Sequence, residues 1–282
     1  MKQSLHAEYY IGVGLIVIAA LTYSTAGLFT KGVAAGSWEV IFWRGVFAAA
    51  FTTLWTMSRG AVRQNFAGMG YSGLAVGFIG ALGTAAFIPA FKLTSIANVS
   101  LIYAVSPLIA ALLAWWLIGE KATPRTLVGC LAALLGVAVI VSGSLGHVRL
   151  EGDLLALVMT GAMASIMVIY RKYPETPGAG PQVLQSLLLL PFAMILGAPF
   201  AVEPLEIAIL AAFGLLFAIA SVTLAEGAKR VPSGQTALLS SLETPLAPLF
   251  ALLLFAEVPK TATLLGGALV LLAVLSAIRR QH

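Results

Sequence analysis

Long apolar stretches, separated by short polar connections, fill almost the whole chain. Each is about the roughly 20 residues that a helix needs to cross a bilayer. Because these stretches do not alternate, they disfavour barrel strands, and lipid leaves only helices to satisfy the backbone N–H and C=O groups. We therefore predict an all-α polytopic membrane protein with ten transmembrane helices, at 10–30, 38–57, 70–91, 96–118, 124–143, 153–171, 182–200, 206–228, 233–255 and 260–279.

Lysine and arginine are unevenly divided between the two sides of the predicted bundle. Eleven fall on the side of the N-terminus, four fall on the other side, and one, Arg44, lies inside the second segment. Positive residues concentrate in cytoplasmic loops, so the sequence predicts that both termini lie in the cytoplasm. We attribute the formal net charge of +5 to this bias and expect no nucleic-acid partner.

The composition and the missing motifs exclude several classes of protein. Only 10% of the 282 residues are charged, against about 25% in soluble domains, and ten spans leave no room for a separate soluble domain. The sequence has no G-x-x-x-x-G-K-[ST] phosphate loop and no histidine inside a predicted span. Its single aspartate, Asp153, starts the sixth span. We expect neither an ATP-driven pump nor an enzyme, and no cofactor or metal.

The chain contains an internal repeat. Residues 92–136 align with residues 230–271, which places Pro107 over Pro245 and Glu120 over Glu257. The copies lie five spans apart, and an odd displacement reverses the direction in which a helix crosses the membrane. The duplication therefore predicts an inverted-topology repeat, which is typical of secondary transporters.

The ends of the repeat, SPLIAALLAWWLIGEK and ETPLAPLFALLLFAE, resemble the paired motifs of the drug/metabolite transporter superfamily, and in particular its ten-helix EamA-type exporters. The second span, WEVIFWRGVFAAAF, also fits that pattern. The resemblance implies two inverted five-helix halves, residues 1–148 and 149–282, around a central cavity. It further implies a monomer in the bacterial inner membrane that exports a small molecule, as the aromatic and neutral amino acid exporters do. Between Glu243 and Pro245 this chain has one residue more than the family's commoner Glu-Pro pair.

Two charged residues fall inside predicted spans. Arg44 is interpreted either as a ligand for a substrate carboxylate or, the favoured reading, as a structural residue that pairs with Glu39 or Glu243 or extends towards water. Glu243 is the only carboxylate close to the bilayer centre. Burial there favours a neutral carboxyl, which suits proton exchange, although Glu243 is also suited to binding a substrate ammonium or pairing with Arg44.

Other candidates are aromatic, hydroxyl or soft side chains at mid-span depths, where they suit an adaptable pocket. Pro107 and Pro245 are predicted to kink spans 4 and 9 and to act as gates, because each removes a backbone hydrogen bond. The remaining candidate substrate-binding residues are Tyr23, Ser24, Trp43, Phe78, Tyr103, Ser106, Met163, Ser221 and Ser240.

These observations favour a secondary transporter that exports amino acids or similar small metabolites by alternating access, with protons as a coupling ion if Glu243 serves exchange. The main alternative is a multidrug or lipophilic-cation exporter that uses Glu243 as its cation site. A lipid scramblase or channel is a further alternative. Phosphorylated substrates are disfavoured, because they would need several deep lysines or arginines and only Arg44 is deep.

Overall fold

The computed structural model describes residues 2–142, 149–246, 250 and 261–278, and in this part of the chain it contains no strand. The predicted all-α polytopic fold is confirmed. The helices are α1 (Lys2–Tyr23), α2 (Ala26–Lys31), α3 (Ser37–Ser58), α4 (Val62–Phe66), α5 (Gly70–Leu93), α6 (Ile96–Tyr103), α7 (Ser106–Ile118), α8 (Pro124–Val141), α9 (Leu150–Lys172), α10 (Ala179–Leu196), α11 (Pro204–Arg230), α12 (Ser233–Ser240) and α13 (Thr261–Ile278).

Within the residues that the structure describes, seven segments are long and apolar enough to cross a membrane: Ala7–Lys31, Ser37–Ser58, Val62–Leu93, Asn98–Ile118, Leu150–Lys172, Ala179–Leu196 and Pro204–Arg230. The fifth and tenth predicted spans correspond to two shorter apolar helices, Pro124–Ile140 and Thr261–Ser276. The ninth predicted span, 233–255, is described through residue 246 and at residue 250. Glu257, the repeat partner of Glu120, lies outside the described residues.

Helix packing follows the predicted inverted repeat. Helices α1, α3, α5, α6 and α8 of the first half correspond to α9, α10, α11, α12 and α13 of the second. Helix α1 packs against α11, and its counterpart α9 packs against α5; likewise α3 packs against α11, and α10 against α5. The corresponding helices α3 and α10, and α8 and α13, pack directly against each other, and α6 packs against α9 as α12 packs against α1. These contacts map onto one another when the two halves are exchanged, in agreement with a two-fold relation between them.

Helices α8 and α13 meet through glycines. A Cβ added to Gly266 would lie 2.3 Å from the carbonyl oxygen of Gly136, and one added to Gly136 would lie 2.8 Å from the carbonyl oxygen of Gly266. Only residues without a side chain allow two backbones to approach this closely, as in the small-residue contacts of other membrane helices.

We call one end of the bundle the basic end: it holds Glu8 of α1, the C-terminal turns of α9 and α11, and Glu120. Glu120 accepts hydrogen bonds from Arg171 Nε at 2.9 Å and from the Ser233 backbone N–H at 2.8 Å. Arg171 also donates to the Lys229 carbonyl oxygen at 3.2 Å. One ion pair therefore ties the ends of α7, α9 and α11 to the start of α12.

Three spans are interrupted near their middles. The first span breaks at Ser24 and Thr25, where the two hydroxyls donate to the Leu21 and Thr22 carbonyl oxygens at 2.6 and 2.7 Å. Such hydroxyl-to-carbonyl bonds compete with the helix ladder and bend it. The fourth span breaks at residues 104–105, and the ninth breaks at residues 241–242 before residues 243–246 become helical again. Broken helices are tolerated at membrane depth where they border protein or a cavity.

Candidate functional site

A cavity of about 100 Å³, measured as space for the centres of water-sized molecules, lies where the three broken spans meet. It extends from mid-bundle towards the end opposite the basic end. At roughly 10–15 Å³ per water-sized group, it has room for a solute of about seven to ten non-hydrogen atoms. Both halves line it, with Tyr23, Ser24, Ala26, Gly27, Arg44, Gly80, Gly83, Thr84, Phe87, Phe91, Val99, Ser100, Tyr103, Met159, Met163, Ile166, Phe213, Phe217, Glu243 and Thr244.

Arg44 of α3 is the buried cation of this cavity and is only 2% exposed. Its guanidinium carbon lies 3.9 Å from the ring centroid of Phe217 and 5.5 Å from that of Phe213. Its Nη2 donates to Thr84 Oγ1 at 3.3 Å, whereas its Nε has no hydrogen-bond partner among the described residues. Stacking on a ring compensates part of the cost of burying a guanidinium, by about 2 kcal/mol when the site is desolvated.

The predicted ion pair of Arg44 with Glu39 or Glu243 is absent from the described residues, where Arg44 contacts Thr84, Phe213 and Phe217 instead. Glu39 instead accepts a hydrogen bond from the Ala198 backbone N–H at 2.7 Å, at the start of the connection to α11. None of the ion pairs of the described chain involves Arg44 or Glu243, although both line the cavity. Burial also excludes extension of Arg44 into water.

Glu243 faces the same cavity from the second half of the protein. It begins the helical stretch that resumes after the break in the ninth span, and it is partly exposed to the cavity. Tyr23 and Tyr103, which end α1 and α6, line the same space. The extra residue before Pro245 therefore leaves Glu243 directed towards the centre of the protein.

Glycines bring the helices close enough to build the site. A Cβ on Gly214 of α11 would lie 2.7 Å from Phe47 Cβ and 2.9 Å from the Arg44 carbonyl oxygen. This close approach of α11 to α3 places Phe213 and Phe217 against the Arg44 guanidinium. Gly77 and Gly80 of α5 similarly lie against α10, and Gly80 also lines the cavity.

A second, smaller cavity of about 30 Å³ lies nearer the basic end. Tyr23, Met163 and Ile166 line both cavities and so form the layer between them. The Tyr23 hydroxyl is hydrogen-bonded to Ser221 Oγ at 3.0 Å across this layer. The rest of its lining is mostly apolar and includes the polar side chains of Tyr170, Gln182 and Gln185.

The structure brings six of the predicted binding residues to the main cavity: Tyr23, Ser24, Arg44, Tyr103, Met163 and Glu243. Ser221 lines only the smaller cavity. Trp43 does not line either one, since its indole N–H donates to the Pro199 carbonyl oxygen at 2.7 Å and its ring packs on Phe47. Phe78 is 58% exposed, because it lies about 200° around α5 from Gly80 and thus on the opposite face.

The serines and prolines near the breaks in spans 4 and 9 also lie outside the cavity lining. Ser106 is buried, and Ser240 donates to the Thr236 carbonyl oxygen at 3.0 Å. The kink expected at Pro107 is a helix restart: the chain breaks at residues 104–105, and Pro107 is the second residue of α7. A proline there costs no helical hydrogen bond. Pro245 likewise follows the break at residues 241–242.

Thr84, Phe213 and Phe217 contact Arg44, but the sequence did not single them out. The phenylalanines stand four residues apart, on either side of Gly214, in an apolar run that looks the same as a lipid-facing one. Gly80 and Thr84 are four residues apart and therefore lie on one face of α5. This spacing could have indicated Thr84 from the sequence.

An all-helical bundle with two matched halves and a cavity between them is typical of membrane transporters. The model of the EamA-like transporter family matches residues 10–142 and again residues 150–279, so the chain belongs to that family. The double match agrees with a two-repeat layout.

Two comparisons with individual proteins agree with this assignment. The chain is 23% identical over 288 residues to a protein of Bacillus subtilis (strain 168) described as "Uncharacterized transporter YyaM", with 96% of this chain and 94% of that protein covered. It also shares the fold of a solved crystal structure, with a TM-score of 0.80 at 22% identity over 95% of this chain and 96% of that chain.

Proposed function

We propose that the protein exports amino acids or similar small metabolites across the bacterial inner membrane by alternating access. The single observation that carries the proposal is the cavity between the two halves, which combines one buried cation and one carboxylate with a largely apolar lining. Small-molecule sites have this composition, with a few placed polar groups in an apolar pocket. Inverted-repeat transporters bind their substrates at such a mid-membrane position.

The direction of opening follows from the two ends of the cavity. The layer of Tyr23, Met163 and Ile166 separates the cavity from the basic end, where the Glu120–Arg171 ion pair holds four helices together. With the basic end in the cytoplasm, this is a conformation closed towards the cytoplasm. Loading from the cytoplasm then requires the layer and the ion pair to separate. We propose that one monomer carries out this cycle and that no catalytic step is involved.

Counterflow in proteoliposomes tests the proposal. Vesicles that contain purified protein are preloaded with one neutral or aromatic amino acid, and entry of the labelled compound is followed with and without a pH gradient. Saturable, selective exchange supports a carrier. Exchange without saturation would indicate a pore or scramblase, and no exchange with any amino acid would refute this substrate class.

Proton coupling is proposed to reside at Glu243, because it is the carboxylate that lines the cavity. The substitution Glu243→Gln keeps the size of the side chain and removes its titration. It should abolish any dependence of counterflow on the pH gradient, whereas Glu151→Gln, at an exposed carboxylate in the first turn of α9, should preserve it. Retained gradient dependence in the Glu243 variant would refute the coupling role.

Export of lipophilic cations is the second candidate function. It is favoured by the position of Glu243 beside Tyr23, Tyr103 and Phe217, since a carboxylate with aromatic rings is a suitable environment for an organic cation. Uptake of a tetraphenylphosphonium label into the same vesicles, competed by other lipophilic cations and not by amino acids, would support this alternative.

A further inference from the structure

The main cavity carries two opposite charges that do not neutralise each other. Arg44 is buried and forms no ion pair within the described chain. Glu243 likewise forms no ion pair there. A buried charge without a partner is costly in a membrane protein and marks a functional site. Both residues line one small cavity, and they reach it from different halves of the protein.

The contacts of Arg44 do not use all the hydrogen-bond donors of its guanidinium. Phe217 covers a face of the guanidinium, and Thr84 Oγ1 takes a hydrogen bond from Nη2. The Nε–H has no acceptor among the described residues. Arg44 lines the cavity and makes one side-chain hydrogen bond within the described residues, so its guanidinium retains donors for a carboxylate, which accepts two parallel hydrogen bonds from arginine.

Apolar side chains form most of the rest of the cavity lining. Phe87 and Phe91 of α5, Val99 of α6 and Met159 of α9 extend towards the end opposite the basic end. No third charged residue lines the space among the described residues. A solute held at both charges would therefore place its remaining groups against aromatic and aliphatic surface.

We infer that the cavity recognises zwitterionic α-amino acids with an apolar side chain at two points. The Arg44 guanidinium holds the substrate carboxylate, and the Glu243 carboxylate holds the substrate ammonium. This inference rests on the proposed export function and specifies the substrate class of the same site. Two-point binding requires that the affinity falls when either charged group is removed from the ligand. It also requires that replacing either residue lowers the affinity only for ligands that carry the charged group held by that residue.

Ligand-induced thermal stabilisation of the purified full chain tests two-point binding without requiring transport. The probes are two matched sets: leucine with 3-methylbutylamine and 4-methylpentanoate, and phenylalanine with 2-phenylethylamine and 3-phenylpropanoate. In each set the amine lacks the carboxylate and the acid lacks the ammonium. We expect the amino acid to bind about 10–100-fold more tightly than either fragment, as expected for loss of one charge-assisted hydrogen bond.

Substitutions show which residue holds which charged group of the ligand. Arg44→Met should weaken binding of the amino acid and the acid and leave that of the amine unchanged. Glu243→Gln should weaken binding of the amino acid and the amine and leave that of the acid unchanged. Arg63→Met and Glu151→Gln, at exposed positions outside the cavity, should change none of them. A merely structural role would weaken all three ligands equally and would overturn the assignment.

If a variant does not fold, the comparison of amino acid, amine and acid binding to the wild-type protein still tests the inference. An amine that binds as tightly as its amino acid would refute the role of Arg44 while leaving the lipophilic-cation alternative in place. An acid that binds as tightly would refute the role of Glu243. Saturable counterflow of an amino acid, combined with either result, would overturn two-point recognition and leave the export function intact, whereas absence of both binding and counterflow would refute both proposals.

Discussion

The substitution Gly214→Ala tests whether close approach of α11 to α3 holds the site together. The added Cβ would lie 2.7 Å from Phe47 Cβ and 2.9 Å from both the Ala48 nitrogen and the Arg44 carbonyl oxygen. Ordinary van der Waals contact begins near 3.4 Å, so α11 must move away by about 0.5–0.7 Å. Two of the three atoms belong to the α3 backbone and cannot rotate aside. Overpacking of this kind costs about 1–3 kcal/mol.

A matched control isolates this steric effect. Gly161 lies within α9, and a Cβ added there meets nothing within 4 Å. Both Gly→Ala changes gain helix propensity, by about 0.5–1 kcal/mol, so the difference between the variants reports the overpacking alone. At roughly 2–4 °C per kcal/mol, the midpoint of thermal unfolding for the Gly214 variant should lie about 2–12 °C below that of the Gly161 variant.

The assay is a thermal scan of purified protein in detergent, at one scan rate because unfolding of such proteins is often irreversible. The displacement should also move the Phe217 ring from the Arg44 guanidinium and weaken their interaction, so ligand binding should fall together with stability. Equal midpoints for the two variants would refute the steric reasoning. Lower stability with unchanged binding would show that the α3–α11 contact supports the fold but not the site.

Three further predictions concern accessibility. Glu120→Gln removes the ion pair at the basic end and should speed maleimide labelling of a Ser221→Cys reporter in the smaller cavity by several-fold. Cys130, the only cysteine in the sequence and fully buried, should stay unlabelled in the native protein and react after denaturation. In intact cells a membrane-impermeant maleimide should label Glu203→Cys and not Arg59→Cys, if both termini are cytoplasmic as the arginine and lysine distribution predicts.

Each accessibility test has a control or a contradicting outcome. Glu8→Gln breaks the Glu8–Arg230 pair, whose carboxylate side chain is 58% exposed, and should leave labelling of the reporter unchanged because exposed pairs contribute little. Equal labelling in the Glu8 and Glu120 variants would refute a closing role for Glu120. Native labelling of Cys130 would contradict its burial, and labelling of Arg59→Cys alone would reverse the proposed orientation.

The sequence predicted the membrane-spanning helices and the inverted repeat, because apolar length and loop charge are local properties. It did not predict the break at Ser24 and Thr25, which arises from hydroxyls that bond carbonyl oxygens within the same turn. The ion pair predicted between Arg44 and Glu39 is absent from the described residues for a long-range reason. Glu39 is only five residues away but bonds a backbone N–H in the connection before α11.

The cavity was predictable only in part. Tyr23, Arg44 and Glu243 stand out as polar groups within apolar spans, and all three line it. Phe213 and Phe217 do not stand out, because membrane helices carry apolar residues on lipid-facing and buried sides alike. Only the tertiary contact with Arg44 distinguishes them from exposed aromatic residues such as Phe78.

The glycine contact between α8 and α13 has a consequence for the order in which the protein assembles. Gly136 and Gly266 are separated by about 130 residues, which a ribosome adds in roughly 6–26 s at 5–20 residues per second. During that time α8 has been synthesised, but its partner surface does not yet exist. The fifth span must therefore wait beside lipid, a neighbouring helix or the insertion machinery, and the tenth span completes the first half as well as the second.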